Sequence, residues 1–311
     1  MHMEKDIQGV IVPLITPLKD DTTVDTAGLA ALVDYVVEGG VDSLFILGTT
    51  GEGPCLTSQT KYDMIVQTAR QLNGRKKNVV GITDSSPEES IKWSRLAADH
   101  GADAVILAPP SYFPYTQDEL TRYVRYVARH SPLPVILYNI PRLTKTTFGK
   151  EVIENLLNEK EIIGFKDSSR DGNYFKEIVQ VIKKTRPDWT ILTGAEEMLV
   201  ESMEIGADGG VLGGANLFPS LLHDFYQAIV HRDEQMTSML GRVLSDCRRI
   251  YAKGRGSTSS IQVIKYILEQ AGICRCTMTL PFQELGIDAR SEVMGIVANH
   301  FSIKGNGIFK R

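Results

Sequence analysis

One lysine is the first candidate for chemistry in this sequence. Lys166 follows the apolar run of residues 162–165, which predicts a buried parallel strand with the lysine at its C-terminal end. Lysine is almost never fully buried unless it is paired, and burial lowers the pKa of its amine. A neutral amine is a nucleophile that can form a Schiff base with a ketone carbonyl. A lysine in solvent paired with Asp167 fits this stretch equally well, so the stretch alone leaves both interpretations open.

The elements that must position this lysine follow a regular alternation. Apolar runs that predict eight strands lie at residues 9–15, 41–47, 78–82, 104–108, 134–138, 162–165, 190–193 and 209–212. Amphipathic stretches that predict eight helices lie at 26–38, 57–72, 86–100, 117–130, 149–158, 173–184, 195–205 and 219–230. The alternation predicts an α/β fold, the (β/α)8 TIM barrel. A doubly wound sheet is the alternative, but residues 12–17 lack the glycine-rich loop that usually follows its first strand.

After residue 232 the pattern changes. Helices are predicted at 233–252, 257–271 and 289–301, and no further strand is predicted. We therefore expect a catalytic barrel domain of residues 1–232 and a C-terminal helical region, an appendage to the barrel, of residues 233–311.

Composition narrows the class of protein. The chain has 311 residues and a net charge of −4, so no basic surface for nucleic acid or an anionic membrane is expected. The apolar runs are well short of the roughly 20 residues that a membrane span needs. The charged N-terminus lacks the apolar segment of a secretory signal, and the four cysteines form no C-x-x-C pair. These features favour a reducing compartment, and we expect the cytoplasm.

In such a barrel the functional groups follow the strands at their C-terminal ends. Gly48, Thr49, Thr50 and Gly51 follow the second strand, where their backbone N–H groups and hydroxyls could hold a carboxylate or simply form a turn. Tyr138 ends the fifth strand, where it could transfer protons or serve as a core aromatic.

Further candidates follow other strands. Tyr112 lies in the loop after the fourth strand, and the candidate substrate-binding residues after the last two strands are Gly194, Glu196, Leu212 and Gly213. Glu196 opens a helix, where the helix dipole favours acidic residues in any case. None of the six histidines falls at a strand end, and no G-x-G-x-x-G motif occurs. We therefore expect neither a metal nor a nucleotide cofactor.

Three motifs together carry a family resemblance. They are Gly48-Thr49-Thr50-Gly51-Glu52, Tyr138-Asn139-Ile140-Pro141 and Gly164-Phe165-Lys166-Asp167. In order and spacing they resemble the dihydrodipicolinate synthase / N-acetylneuraminate lyase family of class I aldolases, from about residue 9 to the C-terminus. The resemblance implies a (β/α)8 barrel, a homotetramer, and action on pyruvate or another 2-keto acid and an aldehyde without metal or organic cofactor.

The resemblance also implies roles for matching positions. Lys166 matches the Schiff-base lysine, and Tyr138 matches the tyrosine that moves protons. Thr50 and neighbouring backbone N–H groups match the carboxylate site. Thr49 matches a hydroxyl that links Tyr138 to a tyrosine from a neighbouring subunit, for which Tyr112 is the best match.

Two departures concern the second substrate. Where the synthases carry an arginine that holds the aldehyde's carboxylate, this chain has Leu143, with Arg142 one position early. The eighth strand ends in Gly213-Gly214, where sugar-acid lyases often place a hydroxyl residue. We therefore expect a lyase acting on a 2-keto-3-deoxy sugar acid, with dihydrodipicolinate synthase as the close alternative.

Two alternatives come from other classes of protein. A metal-dependent barrel aldolase or decarboxylase would need metal ligands at the strand ends, which the sequence does not offer. A non-catalytic barrel that binds keto acids would not need the lysine, tyrosine and threonines that are present.

Overall fold

In the computed structural model, which describes residues 5–299, 302–304 and 308–310, eight strands close into a barrel. The strands are β1 (Gly9–Pro13), β2 (Ser43–Ile46), β3 (Lys77–Gly81), β4 (Ala104–Leu107), β5 (Val135–Asn139), β6 (Ile162–Asp167), β7 (Thr190–Thr193) and β8 (Gly209–Val211). Their order around the barrel is their order in the chain, and β8 pairs in parallel with β1. The (β/α)8 prediction is confirmed, and the doubly wound sheet is excluded because such a sheet does not close.

Helices separate and follow the strands. They are α1 (Thr26–Glu38), α2 (Ser58–Leu72), α3 (Pro87–Asp99), α4 (Gln117–His130), α5 (Pro141–Thr144), α6 (Lys150–Leu156), α7 (Gly172–Thr185), α8 (Leu199–Ile205), α9 (Pro219–Val230), α10 (Glu234–Arg248), α11 (Ser259–Gln270) and α12 (Ile287–Ala298). None of the helices in the described residues is both long enough and apolar enough to cross a membrane.

Local sequence explains where the helices begin. Thr116 and Glu119 form a reciprocal capping box at the start of α4, which satisfies two backbone donors that a helix start otherwise leaves unpaired. The Asp171 side chain accepts hydrogen bonds from two backbone N–H groups at the start of α7. These caps fix the helices that follow β4 and β6.

The structure corrects the prediction for the C-terminal region. Two short strands, β9 (Ser302–Lys304) and β10 (Ile308–Lys310), pair antiparallel, so the expectation that no strand follows residue 232 is wrong. The predicted helix 289–301 corresponds to α12, which begins two residues earlier, and positions 300 and 301 lie outside the described residues.

The chain divides into two compact units. The first comprises Met1–Ile11, Asp42–Phe45 and Lys77–Leu212. Because side chains alternate between the two faces of a strand, residues two apart in one strand, such as Ala104 and Ile106 or Ile136 and Tyr138, enter the same apolar cluster. Its members are Ile7, Ile11, Phe45, Val79, Ala104, Ile106, Ala108, Ile136, Tyr138, Ile140, Leu192 and Val211.

Three aspartates support the first unit at the N-terminal ends of its strands. Asp42, Asp103 and Asp208 each follow a Gly-Val or Gly-Ala pair and precede a strand. Each carboxylate accepts a hydrogen bond of 2.7–2.8 Å from a backbone N–H at the start of a neighbouring strand, those of Val10, Asn78 and Ile191 respectively. The opposite ends of the strands carry the candidate site.

The second unit comprises Val12–Val41, Ile46–Lys76 and Gly213–Arg311. Helix α1 packs against α2 and α9, and its buried face contains Leu29, Leu32, Val33 and Val36. Helix α12 packs against both α10 and α11 within this unit.

Candidate active site

Lys166 lies inside β6 rather than beyond its end. Its strand-register partner in β5 is Tyr138, so the two side chains project from the same face of the sheet. The residue is 4% exposed, and its Nζ lies 3.7 Å from the centroid of the Tyr138 ring and 5.1 Å from that of Phe45. Burial lowers the pKa of the Lys166 amine, while Tyr138 and the Asp167 carboxylate act in the opposite direction without cancelling the effect. The amine is therefore a buried potential nucleophile.

The interpretation of Lys166 as a solvated partner of Asp167 is wrong. Asp167 is buried, and as the next strand residue it projects from the opposite face. Its carboxylate accepts hydrogen bonds from Asn139 Nδ2 at 2.7 Å and from Ser169 Oγ at 2.7 Å. Burial raises the pKa of the Asp167 carboxyl, with these hydrogen bonds opposing the rise. Asp167 thus belongs to a buried network behind the strand.

That network holds the ends of β5 and β6 together. Asn139 donates to Asp167, and its side-chain oxygen accepts from the backbone N–H of Phe148 at 3.1 Å. The carbonyl of Phe148 accepts from the hydroxyl of Tyr174 at 2.7 Å. Because Tyr138 and Lys166 immediately precede Asn139 and Asp167, this network fixes the backbone that carries both candidate catalytic residues.

Gly194 lies directly beside the lysine. A Cβ on Gly194 would lie 1.9 Å from Ser168 Oγ and 3.1 Å from Lys166 Cε. A glycine is therefore required here by close approach. The same contact places the Ser168 hydroxyl near the side chain of Lys166. Ser168 was not among the predicted site residues, although it directly follows the Gly-Phe-Lys-Asp motif and lies two residues after Lys166.

The Gly-Thr-Thr-Gly loop after β2 has a constrained backbone. Leu47 and Glu52, which bracket it, both have left-handed conformations with φ of 58° and 56°. Such conformations are unfavourable for non-glycine residues and persist only where the surroundings impose them. Thr16 Oγ1 donates to the Gly51 carbonyl at 2.6 Å, and a Cβ on Gly53 would lie 2.0 Å from the Leu47 carbonyl oxygen. The loop that carries Thr49 and Thr50 is therefore held in one shape.

The other predicted site residues differ in their surroundings. Glu196 is buried at the start of a 3₁₀ turn, Glu196–Met198, which interrupts the predicted helix 195–205 before α8. Leu212 is fully buried, and a Cβ on Gly210 would lie 2.6 Å from Leu212 Cδ2 and 3.1 Å from Leu199 Cδ1. A Cβ on Gly213 would meet no atom within 4 Å, whereas Tyr112 is 81% exposed with its ring against Phe113. Their roles stay predictions.

The side chains of the two residues after Pro141 have different surroundings. Both belong to α5, a short helix that the sequence analysis missed. Leu143 packs against the apolar cluster that contains Tyr138, whereas Arg142 is exposed. Of these two positions, the one whose side chain packs toward the interior is therefore apolar.

Metal ligation has no visible basis in the described part of the chain. No group of three or more His, Cys, Asp or Glu side chains there is arranged to hold an ion. The described side chains therefore give no support to the metal-dependent alternative.

Comparison with known proteins identifies the family. The sequence model of the dihydrodipicolinate synthetase family matches residues 6–300. The chain belongs to this family. Its members are aldolases and lyases, so the protein is an enzyme of the lyase class.

Individual relatives carry different activities. The chain is 29% identical to the probable 2-dehydro-3-deoxy-D-pentonate aldolase YjhH of Escherichia coli K12 over 278 residues, which cover 89% of this chain and 91% of that protein. Among solved structures, it resembles dihydrodipicolinate synthase from Bacteroides thetaiotaomicron, with 38% identity, a TM-score of 0.91 and coverage of 96% and 100%. It also resembles the E. coli K12 prophage protein YagE in complex with pyruvate, with 25% identity, a TM-score of 0.89 and coverage of 94% and 98%.

Proposed function

We propose that this enzyme is a pyruvate-dependent class I aldolase in which Lys166 forms a Schiff base with a 2-keto acid. The observation that carries the proposal is the Lys166 amine, buried in β6 with a lowered pKa and lying over the Tyr138 ring. A lysine whose amine pKa is lowered by desolvation is a suitable nucleophile for a carbonyl carbon. The pyruvate complex of YagE supports pyruvate as the keto acid.

The reaction follows from an imine at this position. The neutral Lys166 nitrogen attacks the keto carbon, and one amine proton passes to the carbonyl oxygen. This oxygen takes up a second proton from solvent and leaves as water, which gives a protonated imine. Its positive charge accepts the electron pair of an adjacent C–C bond during cleavage, or of a C–H bond before condensation. Tyr138 exchanges the proton with the aldol oxygen, a contribution typically worth about 10²–10⁴ in rate.

Binding of the keto acid's carboxylate falls to the loop after β2. Thr49, Thr50 and the backbone N–H groups beside Gly48 and Gly51 supply the donors, and the constrained loop presents them without reorganisation. The absence of a side chain at Gly194 lets the Ser168 hydroxyl and the Lys166 side chain keep their positions.

The aldehyde half of the site favours a 2-keto-3-deoxy sugar acid over the charged substrate of a synthase. An arginine binds a carboxylate through both oxygens, but Leu143 is the residue that packs inward and Arg142 is exposed. Dihydrodipicolinate synthase activity is the second candidate, supported by the 38% identity to the B. thetaiotaomicron enzyme.

We propose in addition that the enzyme is a homotetramer. Tyr112 is exposed and follows β4 at the barrel end that carries Lys166. In an assembly we propose that it reaches into a neighbouring subunit, which is the role that the family resemblance implies for it. Light scattering gives the oligomeric state, and a stable monomer with full activity would contradict this part.

Borohydride trapping tests the proposal. Pyruvate and sodium borohydride should add one reduced pyruvate to the protein by intact mass, and peptide mapping should place it on Lys166. The matched variant Lys166→Met should gain no adduct while keeping its fold. Label spread over surface lysines would refute the Schiff base. Labelling at Lys166 without turnover of any offered aldehyde would instead favour the non-catalytic keto-acid-binding barrel.

A further inference from the structure

A fully buried ion pair adjoins the carboxylate-binding loop. Glu52 Oε1 lies 2.5 Å from Lys265 Nζ, and both side chains are 0% exposed. The second carboxylate oxygen accepts a hydrogen bond from the backbone N–H of Thr279 at 2.9 Å. Lys265 also donates to the Thr277 carbonyl at 2.7 Å. The two charges therefore compensate each other, and each side chain has a further hydrogen bond with the segment after α11.

Burial of such a pair calls for an explanation beyond stability. Removing two charges from water is unfavourable, and a buried ion pair is often no more stabilising than apolar side chains of similar size. Such pairs can instead fix one arrangement among several.

Glu52 is well placed to fix the loop. It has a left-handed backbone and closes the turn, because its N–H donates to the Thr49 carbonyl at 3.0 Å. The next residue, Gly53, donates to the Gly48 carbonyl at 3.0 Å. A shift of the Glu52 side chain would therefore move the backbone of both threonine-bearing positions.

We propose that Glu52 and Lys265 are a positioning pair, through which the C-terminal helical region holds the Gly48–Gly51 loop in the shape that binds the substrate carboxylate. This inference rests on the proposed function of that loop. Both side chains are fully buried and paired with each other, so we place neither in contact with the substrate. The pair acts on substrate affinity through the backbone of Thr49 and Thr50, and not on imine chemistry at Lys166.

Two readouts separate positioning from stability. The first is the pyruvate concentration that gives half-maximal borohydride trapping at Lys166, which needs no knowledge of the aldehyde. The second is Tm. Glu52→Gln leaves a buried lysine without its counter-ion and should lower Tm. It should also raise the half-saturating pyruvate concentration by about tenfold or more, since small displacements of binding groups have large effects. The trapping rate at saturating pyruvate should change little.

The double variant Glu52→Gln/Lys265→Met gives the decisive comparison, and it remains informative if the single variant fails to fold. With both charges gone, Tm should recover toward wild type, but the half-saturating pyruvate concentration should stay raised. Lys5→Met is the matched control. Lys5 Nζ lies 2.7 Å from Asp208, and the side chains are 6% and 1% exposed. Lys5 precedes β1 and Asp208 precedes β8, at the ends of the strands opposite to those that carry Lys166. Its loss should lower Tm without changing half-saturation.

A double variant with wild-type half-saturation would overturn the proposal, as would a Lys5→Met variant whose half-saturation rises in proportion to its loss of Tm. Failure of the proposed function would look different, because wild-type protein itself would then gain no label at Lys166.

Discussion

Replacing Gly194 by alanine tests how closely the protein surrounds the candidate nucleophile. The new Cβ would lie 1.9 Å from Ser168 Oγ and 3.1 Å from both Ser168 Cβ and Lys166 Cε. Rotation of the Ser168 hydroxyl can relieve the shortest of these contacts. The two carbon contacts remain below the optimum of about 3.5–4.0 Å, so Lys166 or its backbone must move by several tenths of an ångström.

This displacement sets the expected magnitude. Adding one methyl group to a packed interior typically destabilises a protein by about 1–3 kcal/mol. A misplacement approaching 1 Å can lower a rate by about 10²-fold. We therefore expect Gly194→Ala to fold with a lowered Tm and to react with pyruvate roughly ten- to a hundredfold more slowly.

The assay is the rate of borohydride trapping at saturating pyruvate. Gly295→Ala is the control, because a Cβ on this α12 glycine would meet nothing within 4 Å. Ser168→Ala removes the hydroxyl without adding bulk. It shows how much of the fall in trapping rate is due to disturbance of that hydroxyl. A Gly194→Ala protein with wild-type trapping rate and Tm would refute the geometry given for Lys166.

Further predictions address the proton donor, the amine, the second substrate and metal dependence. Tyr138→Phe should keep the fold and lower kcat by roughly 10²-fold or more, whereas kcat/KM within a few-fold of wild type would make Tyr138 a structural aromatic. Only the neutral amine attacks, so trapping should accelerate as pH rises, with a midpoint below the ordinary lysine pKa of 10.5 because burial lowers it; a midpoint at or above 10.5 would contradict the desolvated amine. Glyceraldehyde should be a better partner for pyruvate than aspartate semialdehyde, and Leu143→Arg should narrow the gap by supplying a charge-assisted bond worth about 1.5–3 kcal/mol. If the wild-type enzyme instead has efficient dihydrodipicolinate synthase activity and Arg142→Ala abolishes it, then Arg142 binds the aldehyde's carboxylate and the predicted substrate preference is wrong. Activity should survive EDTA, and loss that a divalent ion restores would favour the metal-dependent alternative.

Local signals made most of the barrel predictable. Helices α1, α4 and α9 have the predicted bounds, because amphipathic spacing and clear terminal residues mark them in sequence. Strand ends were less exact, since residues such as Lys166 and Asp167 are polar yet continue β6. Helix α5 was not predicted, because a proline such as Pro141 is compatible both with the end of a strand and with the first residue of a helix.

The chemistry of the candidate site was predictable where its residues lie in short motifs, as Lys166 and Tyr138 do. The contacts that hold these residues in place could not be predicted from the sequence. Glu52 and Lys265 are far apart in sequence, and nothing in either local pattern indicates a buried partner. The close approach of Gly194 to Ser168 likewise depends on how β6 and β7 pair, which only the folded barrel defines.

A crystal structure of the enzyme soaked with pyruvate would show directly whether Lys166 forms the Schiff base. We expect continuous electron density from Lys166 Nζ to the keto carbon of pyruvate, with the carboxylate on the loop of Thr49 and Thr50. Pyruvate bound elsewhere, or bound beside an unmodified Lys166, would contradict it.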